Sequence, residues 1–518
     1  MTSRQTRMAT VLGVALFFSY AYFYEAGGWN QNSRFALIRA ILERHTLQID
    51  AYQLHTGDRA RWRDHFYSDK APGASLLALA PVQAARLVSS AVGVDPASFP
   101  GIAWTSYVAA VATSGVFTVI AALCVFWLSL RWGATAGAAL FAATAYGLAS
   151  PAWAYATLFM GHGQTAGCLM IALVAADALG ERTGRARHTL GWIIGLAGGW
   201  AVVTEFPAAI PAVFIGLLAL DRVRRADARL KPSRYEESED GASADRRSVK
   251  ASSNVRSAKA LAERQLTPVI ARIAAGVAIA AVPLLVYNTL AFGSPLRLGY
   301  SSEEGFKQLQ TGFFGITYPK LSTIRELLVG SYRGLLPVSP LMAAVPVGLA
   351  LLARKGRAGP AVAAAGIGVY YLLLNASYFY WEGGWAFGPR QMTAALPFLA
   401  LGLAPLWDLG RPAGRALLLA GWIWGVGVTL VAVSTTPQPP ASFKAPVSEL
   451  LWPAFRDGDL SLNPQTFVHN SVDADRLRGG VEPHAAWNLG ELAGLHGLSS
   501  LLPLAGIWAV AAWLLLLL

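Results

Sequence analysis

The stretch SLLPLAGIWAVAAWLLLLL, residues 500–518, carries no charged side chain from end to end. An α-helix rises 1.5 Å per residue, so about twenty apolar residues cross the hydrocarbon core of a bilayer. The run MATVLGVALFFSYAYFY, residues 8–24, is of the same kind, and others follow along the chain. Of the 518 residues, 54% are apolar and only 14% charged, whereas soluble proteins carry about a quarter charged residues. These features define an integral membrane protein of the all-α class, a polytopic transmembrane helical bundle.

About twelve spans are expected, at roughly 8–27, 103–130, 134–150, 161–180, 189–204, 206–221, 267–292, 336–353, 360–376, 391–407, 416–434 and 499–517. The first apolar run lacks a small-residue cleavage site and reads as a retained helix. The net charge of +12 follows the membrane rather than a nucleic acid. With the N-terminus inside, Lys and Arg gather in short inner loops: Arg131, GERTGRARH at 180–188, DRVRRADARLK at 221–231, ARKGR at 353–357 and DLGRPAGR at 408–415. The two cysteines, Cys124 and Cys168, lie in apolar runs and offer neither a disulfide framework nor a CxxC metal site.

This threading divides the chain into parts. Residues 1–221 form an N-terminal transmembrane half with a long first outer loop, 28–102, in which catalysis is expected. Residues 222–266 are polar and Ser-rich and read as a disordered cytoplasmic insertion, most simply a linker. A C-terminal half, 267–434, carries outer loops 293–335 and 377–390. An outer loop at 435–498 is a candidate for acceptor selection, and 499–518 is the last transmembrane helix.

The chemistry-bearing residues collect in the outer segments. In the first outer loop, Ser33–Arg44 has apolar residues at helical spacing and reads as an amphipathic interfacial helix, with a second apolar helix at 74–92. Between them HFYSDKAPG, residues 65–73, reads as a turn. Asp69–Lys70 could merely cap the next helix. In this setting Lys70 is a point-charge partner for a phosphate, a neighbouring carboxylate is a general base, and His65 and Tyr67 add donors. His162 in MGHGQTAG could be structural, but a polar group at a helix start in a membrane is a functional candidate. Glu205 in TEFP is either a solvated turn acid or a cavity residue. Arg333 lies in SYRGLLPVSP. In YFYWEGGWAFGPR, 378–390, an aromatic belt accounts for the rings but not for Glu382 or Arg390, and Arg390 is a good anion anchor. No cofactor is required. A divalent metal could be held through Asp69, Glu382 and His162, although no ligand spacing demands one.

Together the long first outer loop, YSDKAPG, the GH after the third span, YRGLLPVSP and WEGGWAFGPR resemble the GT-C superfamily of membrane glycosyltransferases. The likeness is to bacterial members related to protein O-mannosyltransferases and the lipid A aminoarabinose transferase. It implies a GT-C-like bundle and transfer of a sugar from a polyprenyl-phosphate donor to a lipid, glycan or protein acceptor, with inversion. It also implies a multi-pass cell (inner) membrane location with the site on the periplasmic face. In that superfamily an acidic pair in the first outer loop activates the acceptor or holds a metal. This chain has Gln31-Asn32-Ser33-Arg34-Phe35 there. The resemblance therefore moves the base to Asp69, then Glu25, then Asp50. It matches Lys70 to the family's phosphate-binding lysine, assigns the leaving phosphate to Arg390 and Arg333, and makes His162 and Tyr67 orienting residues. A transporter or flippase of lipid-linked sugars is the alternative, since amides at 31 and 32 cannot take a proton. A ligase-type enzyme and a scaffold protein are more distant readings.

Overall fold

The computed structural model describes residues 2–229, 244–468 and 485–518. It is mostly helical, because a backbone in lipid must satisfy its own hydrogen bonds. The helices that frame the site are α1 (Ser3–Ala21), α2 (Trp29–Arg44), α3 (Gly73–Ala91), α4 (Phe99–Arg131), α5 (Ala136–Gly147), α6 (Gly161–Ala178), α7 (Gly184–Thr204), α8 (Ala209–Arg229), α9 (Ala244–Phe292), α10 (Val345–Leu352), α11 (Ala358–Ser377), α12 (Pro412–Thr435) and α13 (Leu502–Leu517). Eight helical runs among the described residues are long and apolar enough to cross a membrane, or nine if the bent pair Arg390–Ala400 and Leu403–Leu409 is one span. The multi-span character agrees with the sequence; the number twelve is not reached on this criterion, and Gly73–Ala91, read as an interfacial helix within the outer loop 28–102, is among the eight. One of the eight, Pro340–Ser377, breaks at Lys355 and at Gly356, whose φ of +80° turns the chain between α10 and α11. The basic segment ARKGR sits at that break.

Two small antiparallel sheets qualify the all-helical expectation. β1 (Phe23–Tyr24) pairs with β4 (Trp487–Asn488), and β2 (Arg59–Trp62) pairs with β3 (His65–Ser68). HFYSDKAPG is thus a strand followed by a turn into α3, and not a turn between two helices. Arg63, at φ +57°, supplies the left-handed backbone that a tight hairpin turn needs. Helix α2 also differs from its interfacial reading. Gln31, Asn32, Ser33, Arg34, Leu37 and Ile38 are all buried, so it is enclosed by the loops around it.

Of the expected insertion at 222–266, α8 continues to Arg229 and helical backbone resumes at Ala244. Residues 230–243 lie outside the described residues, as do 469–484 of the last outer loop.

The loops fall into two groups. Asp177, at the end of α6, meets Arg131 of α4 at 2.7 Å and Arg222 of α8, while Asp408 accepts from Thr135 Oγ1 at 2.6 Å. All of these come from segments read as inner. In the other group Ala60 bridges to Glu303, Thr317 N donates to Ser377 O, Arg333 reaches Glu382 O, and Asn32 Nδ2 donates to Thr466 O. Those are the segments read as outer.

Candidate functional site

The hairpin register builds the first half of the site. Arg59 stands opposite Ser68, so the next pair outward is Asp58 and Asp69. Lys70 closes the gap: its Nζ lies 2.8 Å from Asp58 Oδ2 and 2.7 Å from Asp69 Oδ2. Ser33 Oγ of α2 donates to Asp69 Oδ1 at 3.2 Å. Burial pushes the Asp69 carboxyl up; Lys70 opposes this and Asp58 reinforces it, and the result is upward. Lys70 is desolvated too, but Asp58 and then Asp69 hold its ammonium above the ordinary range. The trio carries one net negative charge, so Lys70 is not a free counter-charge. Tyr300 places its ring 5.7 Å from Lys70 Nζ, and a side chain at Gly299 would meet the Asp69 backbone at 2.8 Å. The second long outer loop therefore covers the trio.

The second half is the turn between α7 and α8. His162 Nδ1, at the start of α6, lies 2.8 Å from Glu205 Oε1. Burial would raise the Glu205 carboxyl, but His162, by charge and hydrogen bond, followed by Arg34 and Arg390, holds it below the usual range. Two glycines permit this assembly. A Cβ at Gly161 would meet Glu205 Cγ at 2.8 Å, and one at Gly73 would meet Thr204 Oγ1 at 2.7 Å. The Gly in APG and the first Gly in GHG are thus required where α3 and α6 press on one turn. A π-bulge in α4 at Val111–Gly115 abuts the same place, with Ser114 Oγ donating to Met160 O at 2.8 Å; such bulges often mark functional sites.

The two halves are electrostatic neighbours across Tyr300, Tyr378 and Tyr380. Arg390 and Asp58 both act electrostatically on Tyr378 and Tyr380, and Lys70 and Glu205 both act on Tyr300. Arg390 makes no ion pair or side-chain hydrogen bond among the described residues, and its Nε is buried without a partner. Arg333 is the opposite case. Nε donates to Glu382 O at 2.8 Å, Nη1 to Tyr332 O at 3.0 Å and Nη2 to Gly384 O at 2.6 Å. It is fully buried and ties down the Glu-Gly-Gly loop, whose Gly383 and Gly384 have φ of +69° and +66°.

Against this geometry several solved structures align with the chain, three of them as follows. ArnT from Cupriavidus metallidurans, bound to undecaprenyl phosphate, aligns with a TM-score of 0.50 and 15% identity over 98% of this chain and 74% of ArnT. The likeness to ArnT is one of fold. Apo ArnT gives 0.47 and 14% over the same shares, and the archaeal oligosaccharyltransferase AglB from Archaeoglobus fulgidus gives 0.43 and 12% over 81% of this chain and 55% of AglB. No protein-family model and no curated protein sequence matches the chain.

The remaining predicted residues are dispersed. His65 Nδ1 and Asp50 Oδ2 pair at 2.7 Å at the turn end of the hairpin, away from its Asp58–Asp69 end. Tyr67 is buried with its ring 5.4 Å from that of Phe292. Glu25 is buried beside β1, where its carbonyl accepts from Asn463 Nδ2. Glu382 contributes its carbonyl to Arg333. Among the described residues no three His, Cys, Asp or Glu side chains gather to hold a metal ion, so Asp69, Glu382 and His162 form no such group. Gln31 and Asn32, where the resemblance leads one to expect acids, are committed to structure. Gln31 Oε1 accepts from Phe159 N at 2.7 Å and its Nε2 donates to Gly27 O, while Asn32 Nδ2 donates to His55 O at 2.6 Å. Sequence reasoning missed Asp58, although reading RARWRDHFYS as a two-residue hairpin would have put it opposite Asp69.

Proposed function

We propose that this chain is a membrane glycosyltransferase that moves a sugar from a polyprenyl-phosphate donor to a lipid, glycan or protein acceptor on the non-cytoplasmic face. The observation that carries the reading is the polarity of this cluster. An acid-rich group, Asp58–Lys70–Asp69, shares the neighbours Tyr378 and Tyr380 with an unpaired arginine, Arg390, which also acts on the His162–Glu205 pair. The acid-rich group suits the acceptor. Asp69 has both oxygens engaged, by Lys70 and Ser33, whereas Asp58 has only Oδ2 on Lys70. Asp58 is therefore the better base and Asp69 its support. The acceptor hydroxyl gives its proton to Asp58 as its oxygen bonds the anomeric carbon. The carbon–oxygen bond to phosphate breaks, and its electron pair stays on the phosphate, whose charge Arg390 stabilises.

A mostly apolar cavity of about 150 Å³, lined by Tyr332, Pro337, Val338, Phe387, Trp424 and Val428, adjoins the loop that carries Arg390 and suits the donor's prenyl chain. The transporter reading drew on the amides at 31 and 32. Both are structural here, and carboxylates stand elsewhere in the cluster, so that support is removed.

The test is release of free polyprenyl phosphate by purified protein in nanodiscs, given short-chain polyprenyl-phosphate sugars and a mixed acceptor extract. Asp58→Asn should slow release by about 10²–10⁴-fold, the range for a general base. Equal rates in Asp58→Asn with loss in Asp69→Asn would return the base to Asp69. Donor binding without release under any acceptor would favour transport.

A further inference from the structure

Buried polar atoms in folded proteins are nearly always hydrogen-bonded, and an unpaired group calls for an explanation. A set of them lies on elements that pack near the turn at Glu205. His162 Nε2, Tyr371 Oη, both amide atoms of Asn375 and Gln391 Oε1 have no hydrogen-bond partner among the described residues. Asn375 and Tyr371 are 0% and 2% exposed and His162 is 8% exposed. Their placement is shared. Tyr371 and Asn375 lie four apart on α11, on one face. That helix packs on the segment beginning at Arg390, which also packs on α6 where His162 sits. The neighbouring Tyr370 Oη donates to Pro207 O at 2.9 Å, which fastens α11 to the Glu205 turn. Gln391 is held by Nε2 to Tyr380 O at 3.4 Å, leaving its carbonyl oxygen free.

We propose that these groups form a neutral polar subsite for the sugar of the lipid-phosphate donor, next to Arg390, and that the sugar is uncharged. This rests on the transferase reading above. Amide, phenol and imidazole groups offer donors and acceptors in the mixture that sugar hydroxyls require. Of the carboxylates near the subsite, Glu205 is already paired with His162 and Asp58 with Lys70. A cationic amino sugar would have to compete with His162 and Lys70 for these carboxylates, and burying an unpaired charge is far costlier than burying a hydroxyl. An anionic sugar would face Glu205. The subsite therefore selects a neutral hexose or pentose, in contrast to what an aminoarabinose donor would need.

The test uses short-chain prenyl phosphates carrying mannose, galactose, glucose or arabinose, the matching 4-amino-4-deoxy-arabinose donor, and the bare prenyl phosphate. Wild type should turn over a neutral donor with kcat/KM at least about tenfold above the amino sugar. Asn375→Ala should lower kcat/KM for that donor by about tenfold or more, the worth of one or two lost hydrogen bonds, with the Kd for bare prenyl phosphate unchanged. A general packing defect would weaken both ligands together. Should Asn375→Ala fail to fold, Tyr371→Phe, which removes one hydroxyl, decides by the same ratio. Preference for the amino sugar, or variants that treat glycosylated and bare lipid alike, would overturn the subsite and leave the transferase standing. Wild type that binds no prenyl phosphate and turns over no donor would overturn both.

Discussion

Lys70 and Arg390 are both cations in one cluster, and their surroundings make them behave differently when removed. Lys70 is clamped by Asp58 and Asp69 at 2.8 and 2.7 Å. Deleting one partner of a buried ionic group leaves uncompensated charge and costs about 3–5 kcal/mol. Lys70→Ala should therefore lower the melting temperature in detergent, and adding Asp69→Asn should restore part of the loss. A melting curve unchanged by Lys70→Ala would contradict the clamp. Arg390 has no such partner. Arg390→Ala should leave melting unchanged and weaken prenyl-phosphate binding by about tenfold to a hundredfold, as loss of charge-assisted hydrogen bonds does. Arg333, although also an arginine of the same outer face, would unfold its loop on substitution, because it holds three carbonyls. Sequence cannot rank these three cations, since what separates them is whether a carbonyl or carboxylate from elsewhere in the chain arrives beside each.

At the scale of elements, the hairpin and the loop over it act as a unit. Ala60 of β2 bridges to Glu303, whose carboxylate accepts from Gly305 N at 2.8 Å and from Phe306 N. Burial raises this carboxyl from 4.5 to about 6, against the pull of those two backbone donors. A group with a raised folded pKa binds more protons folded than unfolded. Its contribution therefore favours folding at low pH and is lost as pH rises from about 4.5 through about 6. Wild type should lose melting temperature across that window relative to Glu303→Gln, and parallel profiles would refute the assignment. Asp69 shifts in the same direction, and the comparison with the variant isolates Glu303. The apolar spans were legible because length and composition alone specify them. The hairpin was not, because RARW and HFYS alternate weakly and Arg63-Asp64 lacks the Asn-Gly or Asp-Gly signature of such turns. The burial of α2 was hidden for another reason. Its amides are satisfied by Phe159, His55 and Thr466, partners that no local pattern announces.

For the whole molecule, the two groups of loops are the decisive feature. Segments read as inner contact one another through Asp177 and Asp408, and segments read as outer contact one another around the cluster. Gly73–Ala91, long and apolar enough to span, lies inside the segment read as the first outer loop, so the sidedness of the two groups calls for a direct test. Which group faces the cytoplasm rests on the excess of Lys and Arg in the short loops. Single cysteines can decide it. Native Cys124 is half-buried and Cys168 buried, and both can be replaced by alanine to clear the background. Leu54, at 75% exposure, lies in the first outer loop, and exposed Arg185 lies in the first turn of α7, within the basic segment 180–188. A membrane-impermeant maleimide applied to intact cells should label Leu54→Cys at once and Arg185→Cys only after lysis. The reverse pattern would turn the cluster toward the cytoplasm. A donor would then have to be met on the side where lipid-linked sugars are made, and the non-cytoplasmic transfer proposed for this chain would fall with it.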